Sequence, residues 1–311
     1  MKMKKIVITE FMDEAAVASL RTAFDVLYDP KLVDNAARLM AVAADADAVI
    51  VRNRTQVRGE LLAACQKASV IGRLGVGLDN IDVAACEARG IQVIPATGAN
   101  ALAVAEYVMG TAMLLLRGVY LSSALVATGK WPRTALSNGR EISGTCLGLI
   151  GFGGIGRLTA RLAHGLGMTV MAHDPMLTEG SAVWSETGVR CASLDQLITT
   201  ADVISLHVPL TPGTANLLSA GCIARMRPGA VVINTSRGGI ADEAAVAAAL
   251  REGRLGGAAF DVFEPEPLAS GNAWEDCPNV ILTPHVAGVT AQSNVRVSTL
   301  IATEVARILK A

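Results

Sequence analysis

A chain of 311 residues, 51% hydrophobic and 18% charged, carries enough apolar material for one large or two ordinary buried cores, which excludes a disordered chain. Its net charge of -1 offers no basic stripe for a phosphate backbone, so nucleic acid is not an expected partner. The six cysteines (65, 86, 146, 191, 222 and 277) form no CxxC pair and lie near no histidine at zinc-ligand spacing. They imply a reduced, cytoplasmic compartment and no metal centre.

The opening, MKMKKIVITEF, starts like a secretory n-region but meets Thr9, Glu10, Asp13 and Glu14 before an apolar h-region can form. KKIVIT (4–9) reads as a strand, followed by a helix from about 13 to 23. FDVLYD (24–29) reads as a strand, 35–43 as a helix, ADAVIVR (46–52) as a strand and 59–67 as a helix. VIGRLG (70–75) is a strand, IDVAACEARG a helix closing on Gly90, and IQVIPA (91–96) a strand. Short apolar runs separated by helices predict parallel strands joined by crossovers.

A long helix follows over 101–118. Glu106 interrupts it, and it falls short of the roughly 20 apolar residues of a membrane span, so a buried core or subunit-interface helix is expected. A polar loop from Gly129 to Gly144 leads to six more strands: CLGLIG, MTVMAHD, DVISLHV, AVVINTS, GAAFDVF and VILTPH. Six alternating strands make a complete doubly wound unit. The last helix, 292–310, has no strand left to serve and is expected to return to the first domain. The fold class expected is therefore α/β with two doubly wound parallel-sheet domains. Residues 1–97 plus 289–311 would form a discontinuous substrate domain and 98–288 the nucleotide domain, with the active site in the cleft between them.

GLIGFGGIG is the sharpest local signal. Gly151, Gly153 and Gly156 satisfy G-x-G-x-x-G directly after the strand CLGLI, with Gly154 and Ile155 opening the helix that follows. The first glycine makes a tight turn, the second admits a pyrophosphate, and the third lets helix and strand pack closely. The phosphates then meet free N–H groups at a helix N-terminus. The next strand ends in Asp174, eighteen residues past Gly156 (174 − 156), where a carboxylate accepts hydrogen bonds from an adenosine ribose. The acid points to NAD, because a 2′-phosphate would be repelled there.

Hydride transfer to a ketone needs a proton donor for the forming alkoxide and a cation for the substrate carboxylate. His164 lies within a helix and His173 beside Asp174, whereas His207 and His285 end strands at the carboxyl edge of a sheet. Arg237 follows AVVINTS, and Glu266 stands five residues beyond Asp261. Singly, each has an ordinary reading: Arg237 a surface cation, Glu266 a solvated loop acid, His285 a satisfied strand-end histidine. Three ionisable groups at the carboxyl ends of strands in one doubly wound sheet point instead to a site.

These segments together resemble the D-isomer-specific 2-hydroxyacid dehydrogenases. The resemblance rests on GRLGVGLDNID (72–82), GFGGIG with Asp174, NTSRGGIADEAA (234–245), GAAFDVFEPEP (257–267) and NVILTPHVAG (279–288). It implies that Arg237 holds the substrate carboxylate and carbonyl, that His285 is the acid–base, and that Glu266 hydrogen-bonds the imidazole. An ionised Glu266 favours the imidazolium and fixes the ring's tautomer. By the same resemblance Val76 and Gly77 face the substrate carboxylate, while Asp261, Gly288, Thr235 and the His207–Pro209 turn border the cofactor. A homodimer through the region of the long helix is also implied.

Within the family, VRNRTQV (51–57), GRLGVGLDN and GKWPR (129–133) resemble the phosphoglycerate dehydrogenase branch. That likeness implies Arg52 over the active site and Arg133 reaching in from a partner subunit; surface solvation is the ordinary reading of Arg54 and Arg133. Arg54 adds a cation where the branch usually has a small residue, and no regulatory extension is expected. The expected substrate is a three-carbon 2-hydroxy acid with a second anion at carbon 3, phosphate or sulfonate. A 3-sulfolactate suits the added arginine, and its (S) form has D-type geometry because sulfur reorders the substituent priorities. A glyoxylate or hydroxypyruvate reductase is the alternative enzyme, and an NAD-sensing corepressor-like binding protein the alternative outside catalysis. Formate dehydrogenases pair the histidine with glutamine, unlike Glu266.

Overall fold

The computed structural model describes residues 3–310. The chain divides into two compact units, one of the residues up to Asn100 with those from Val289 onward, the other Ala101–Gly288. In the first, β1 (Lys5–Ile8), α1 (Glu14–Arg21), β2 (Asp25–Tyr28), α2 (Ala36–Ala43), β3 (Ala48–Val51), α3 (Gly59–Ala64), β4 (Val70–Arg73), α4 (Val83–Ala88) and β5 (Gln92–Pro95) alternate. The strands pair in parallel in the order β2-β1-β3-β4-β5, the flavodoxin-like winding. Asp13, Asn35 and Asp82 accept first-turn backbone N–H groups and so fix where α1, α2 and α4 begin.

The second unit opens with α5 (Ala101–Arg117) and α6 (Ser123–Ala127). It continues with β6 (Cys146–Ile150), α7 (Gly154–Gly165), β7 (Thr169–His173), α8 (Ala182–Thr187), β8 (Arg190–Cys191), α9 (Leu194–Thr200) and β9 (Val203–Leu206). Then come α10 (Ala220–Arg225), β10 (Ala230–Asn234), α11 (Glu243–Arg251), β11 (Leu255–Phe260) and β12 (Val280–Leu282). The sheet runs β12-β11-β10-β9-β6-β7-β8, all parallel. Its winding reverses between β6 and β9, and open α/β sheets bind ligands at such a reversal.

Both faces of this sheet are covered. Ile204, Val232 and Phe260 join one apolar layer, while Val203, Val231 and Ala259, their neighbours in sequence, join the other. That period of two is why these strands are apolar at nearly every position. Sequence patterning predicts six strands here; the seventh, β8, has only two residues and is too short to carry a pattern.

The last helix, α12 (Ala291–Lys310), belongs to the first unit. Its Val297, Ile301, Val305 and Leu309 are buried with Ile6, Ile8, Ile50 and Val70. Gly72 admits this packing, since a Cβ there would stand 2.7 Å from the Ile301 side chain. Among the described residues no single helix is long and apolar enough to cross a membrane.

Candidate active site

The phosphate-binding turn is built as its glycines require. Gly151 has φ +97, and a Cβ on it would lie 2.4 Å from the His207 carbonyl oxygen, so the turn after β6 closes directly on the strand end of β9. A Cβ on Gly156 would meet the Gly151 carbonyl oxygen at 2.6 Å. Gly153 and Gly154 differ: both are exposed, and a Cβ on either would meet nothing within 4 Å. Internal packing therefore does not explain glycine at those two positions. The open space leaves room for an approaching ligand. Behind Gly153 the twelve residues of α7 begin without a side-chain cap, leaving first-turn N–H groups for an anion; Ile155 sits half-buried in that turn.

Asp174 follows β7 immediately. Its carboxylate accepts the N–H of Phe152 at 2.8 Å and that of Met176 at 2.9 Å, which holds it against the glycine turn with acceptor capacity to spare. Arg157 stays with the turn as well, donating to the Phe152 carbonyl at 3.1 Å.

Two polar atoms near the reversal point lack a partner among the described residues. The Thr235 hydroxyl, just past β10, and His207 Nδ1, just past β9, are buried without a hydrogen bond. His207 Nε2 meets the Ser205 hydroxyl at 3.0 Å, and burial holds its imidazole neutral by pushing the pKa down to about 4. Pro209 lies in the exposed turn beyond, its carbonyl accepting from Thr214 at 2.5 Å. Orphaned polar atoms, open glycines and a bare helix start together fit a bound dinucleotide.

Beyond β10, β11 and β12, which adjoin in the sheet, stand Arg237, Glu266 and His285. The Nδ1 of His285 lies 2.9 Å from Glu266 Oε2, while Glu266 Oε1 accepts the Phe263 N–H at 3.1 Å. With Nδ1 engaged by a carboxylate, Nε2 is the nitrogen left to exchange a proton. Asn234, wholly buried, bends the arginine loop by accepting the Ser236 N–H at 3.0 Å and donating to the Arg237 carbonyl at 2.8 Å. The guanidinium donates to the Ser236 carbonyl at 2.6 Å.

His285 is not within a strand. β12 ends at Leu282, and His285 has φ +56, a left-handed conformation unusual for histidine. Asp261 holds this turn in place. Its backbone carbonyl accepts the His285 N–H at 2.8 Å, and its buried carboxylate accepts from Val286 N and Ala287 N, each at 2.8 Å. Thr283 donates to the same carboxylate at 2.6 Å, which obliges Tyr107 to donate to Thr283, also at 2.6 Å. Sequence reading gives Asp261 a cofactor contact and misses this supporting role, because nothing in DVF marks a carboxylate as turned toward a later loop. Gly288 closes the turn.

In the first unit, Glu10 is a buried carboxylate. Its oxygens accept the N–H groups of Arg52 at 2.9 Å, Arg54 at 3.1 Å and Thr55 at 3.0 Å, and these bonds hold its pKa below the usual carboxylate value despite burial. Arg52 donates to Asn294 Oδ1 at 3.0 Å, and its guanidinium stands 5.6 Å from the Phe11 ring centroid. Arg54 turns elsewhere, into an exposed ion pair with Asp34. Val76 is exposed and Gly77 half-buried in the turn after β4. Arg133 is exposed in the polar loop, which doubles back so that Arg140 N donates to the Leu116 carbonyl of α5 at 2.8 Å. Glu10 and Asn294 escape sequence reading because their partners lie 42 and 242 positions away.

Comparison with known proteins fits this geometry. Residues 109–287 match the model of the D-isomer specific 2-hydroxyacid dehydrogenase NAD binding domain. The chain belongs to the D-isomer-specific 2-hydroxyacid dehydrogenase family. It is 51% identical over 307 residues to the (S)-sulfolactate dehydrogenase of Chromohalobacter salexigens, covering 99% of both chains. It is 36% identical to the D-3-phosphoglycerate dehydrogenase of Synechocystis sp., covering 99% of this chain but 54% of that one. The chain thus spans about half the length of its phosphoglycerate dehydrogenase relatives. The crystal structure of a glyoxylate reductase from Paecilomyes thermophila superposes with a TM-score of 0.86 at 26% identity, covering 100% and 96% of the chains. The protein is an NAD-dependent dehydrogenase that interconverts a 2-hydroxy acid and its 2-keto acid.

Proposed function

We propose that this dehydrogenase acts on a three-carbon D-type 2-hydroxy acid with a second anion at carbon 3, most specifically 3-sulfolactate and 3-sulfopyruvate. The identity shared with (S)-sulfolactate dehydrogenase over the whole of both chains carries the reading. Residues 1–97 with 289–311 serve the substrate, and 98–288 serve the cofactor. When bound, NAD supplies or takes up the hydride. Gly151, Gly153, Gly154, Ile155 and Gly156 would hold its pyrophosphate and Asp174 its ribose. His207, Pro209, Thr235, Asp261 and Gly288 would border the rest.

Arg237 grips the carboxylate at carbon 1 and the carbonyl oxygen at carbon 2, and the backbone of Val76 and Gly77 meets the same carboxylate. His285 delivers a proton from Nε2 to the oxygen at carbon 2 during reduction and recovers it during oxidation. Glu266 compensates the imidazolium and keeps the ring aimed. Arg52 meets the anion at carbon 3. Its orientation by Asn294 and Phe11 supports that role, while the Asp34 pairing leaves Arg54 a weaker part. Arg133 is the further cation, offered to a partner's substrate.

The enzyme is a cytoplasmic homodimer in this reading. Leu102, Met113, Leu114, Leu121, Val126 and Trp131 form an exposed apolar run along α5, α6 and the start of the following loop, and a second copy would cover it. Light scattering at micromolar concentration should give twice the chain mass. For the substrate, kcat/KM with NADH on 3-sulfo-, 3-phospho- and 3-hydroxypyruvate decides. The sulfonate should lead, and a preference for hydroxypyruvate, which is neutral at carbon 3, would overturn the second anion in favour of a hydroxypyruvate reductase. Absence of turnover on all three, with NADH still bound, would favour the binding-protein alternative.

A further inference from the structure

Glu243, the first residue of α11, follows the arginine loop by six positions (243 − 237) and resembles an ordinary acidic residue at a helix start. Its carboxylate does something else. Asp242 already caps α11 through the Ala245 N–H, so Glu243 is free to turn toward the loop that carries Glu266. Oε1 accepts the backbone N–H of Glu264 at 3.3 Å, and Oε2 accepts Trp274 Nε1 at 3.0 Å. Trp274 is buried, its ring centred 4.6 Å from that of Phe260 at the end of β11.

The same backbone is pressed from the other side. A Cβ on Gly238 would fall 2.1 Å from the Phe263 carbonyl carbon and 2.6 Å from Glu264 N. The arginine loop therefore touches the glutamate loop backbone to backbone, a contact open only to glycine. One residue before Glu264, the Phe263 N–H donates to Glu266, whose other oxygen holds His285. Glu243 is half-buried, and its pKa is raised by that burial and further by the neighbouring charges of Glu264 and Glu266. A carboxylate at this location is unfavourable on its own and is retained by the two donors it satisfies.

We infer that Glu243 is a positioning residue for catalysis: it clamps the Glu264 backbone and Trp274 so that the loops bearing Arg237 and Glu266 form one rigid unit and Glu266 stays aligned on His285. The inference rests on Glu266 and His285 being the acid–base pair.

Glutamine is a poor substitute for physical reasons. Two donors approach two different oxygens, whereas an amide has only one; whichever way it flips, one donor faces an N–H₂ group. Replacing Trp274 by phenylalanine removes one donor, after which the glutamine oxygen can serve Glu264 and its nitrogen can face the phenyl ring. Steady-state kinetics with NADH and 3-sulfopyruvate test this in a double-mutant cycle.

Glu243→Gln should lower kcat about tenfold, with KM and the NADH Kd changed less than about twofold. In the Trp274→Phe background the same substitution should cost only about twofold. An equal cost in both backgrounds, an unchanged kcat, or a loss of NADH affinity parallel to a loss of Tm would overturn the positioning role. Glu266→Gln separates the two claims. If it leaves kcat intact, the acid–base reading fails and takes this inference with it. If it costs heavily while Glu243→Gln costs nothing, only this inference fails.

Discussion

The loops around His285 and the loop around Arg52 are both held by buried polar side chains, but in different patterns. In the second unit the candidate catalytic groups stand beyond three adjoining strands, and each has a polar partner of its own: Asp261 for the His285 turn, Asn234 for the Arg237 loop, Phe263 for Glu266. In the first unit a buried carboxylate, Glu10, takes the N–H groups of Arg52, Arg54 and Thr55, while buried Asn80 donates to the Arg52 carbonyl at 3.3 Å and the Thr55 carbonyl at 2.7 Å. The candidate reacting groups are fixed one by one, while the proposed recognition segment is fixed as a whole, by Glu10 and Asn80 together.

The sharpest way to break this contrast is at its catalytic end. His285→Ala should reduce turnover on the order of 10²–10⁴-fold while NADH still binds, as read by steady-state rates beside a fluorescence titration. Unchanged turnover would remove His285 from the acid–base role.

At the recognition end, Arg52→Ala should raise KM for 3-sulfopyruvate about 10- to 100-fold, the loss of a charge-assisted hydrogen bond of about 1.5–3 kcal/mol. It should leave hydroxypyruvate nearly unaffected, and an equal rise for both substrates would mean that Arg52 does not read carbon 3. Arg54→Ala should change KM much less, since Arg54 already has a partner in Asp34.

The Glu10 support makes its own prediction. Glu10→Ala strands three backbone donors, so a loss of about 3 kcal/mol in urea unfolding is expected. A loss no larger than that of an average surface change would show that Asn80 and Thr9 hold the loop without Glu10.

Two glycines sharpen the cofactor half. Gly153→Ala, at an ordinary φ of −77 and with open space for its methyl, should weaken NADH binding several-fold and leave Tm unchanged. Gly156→Ala, forced against the Gly151 carbonyl, should lower Tm as well. Identical behaviour of the two variants would deny that Gly153 is reserved for a ligand.

The smallest effect is on pH. His207 has a folded pKa of about 4 against 6.5 for the free side chain, so as pH falls the unfolded chain takes up that proton first. Its contribution to stability is thus complete above pH 6.5 and declines toward pH 4. His207→Asn should flatten the fall of urea-unfolding stability across that window, and an unchanged slope would show that the imidazole is not held neutral.

Much of the fold was legible in advance, because it is written in local periods. Apolar runs in 203–206 and 230–234 and the glycine turn at 151–156 declare themselves within a few residues. Where patterning misled, the cause was shortness or termination. β8 has two residues, and the run 280–285 extends past the last paired residue into the turn that carries His285.

The candidate site divides along the same line. Arg237, Glu266 and His285 stand out as chemistry-bearing residue types next to strand ends, so sequence could nominate them. Their supports could not be nominated. Asp261, Tyr107, Glu10, Asn294 and Glu243 are common residue types whose meaning depends on which distant N–H or hydroxyl they meet.

The amino-acid sequence by itself determined the two parallel α/β sheets and the glycine turn with its acidic neighbour, and it nominated the candidate reacting groups, since periodicity and functional-group chemistry are local properties. The tertiary structure alone decided how those groups are held. A hydrogen bond between residues 242 positions apart, or a glycine required by a backbone 25 residues further on (263 − 238), exists only once the chain has folded back on itself.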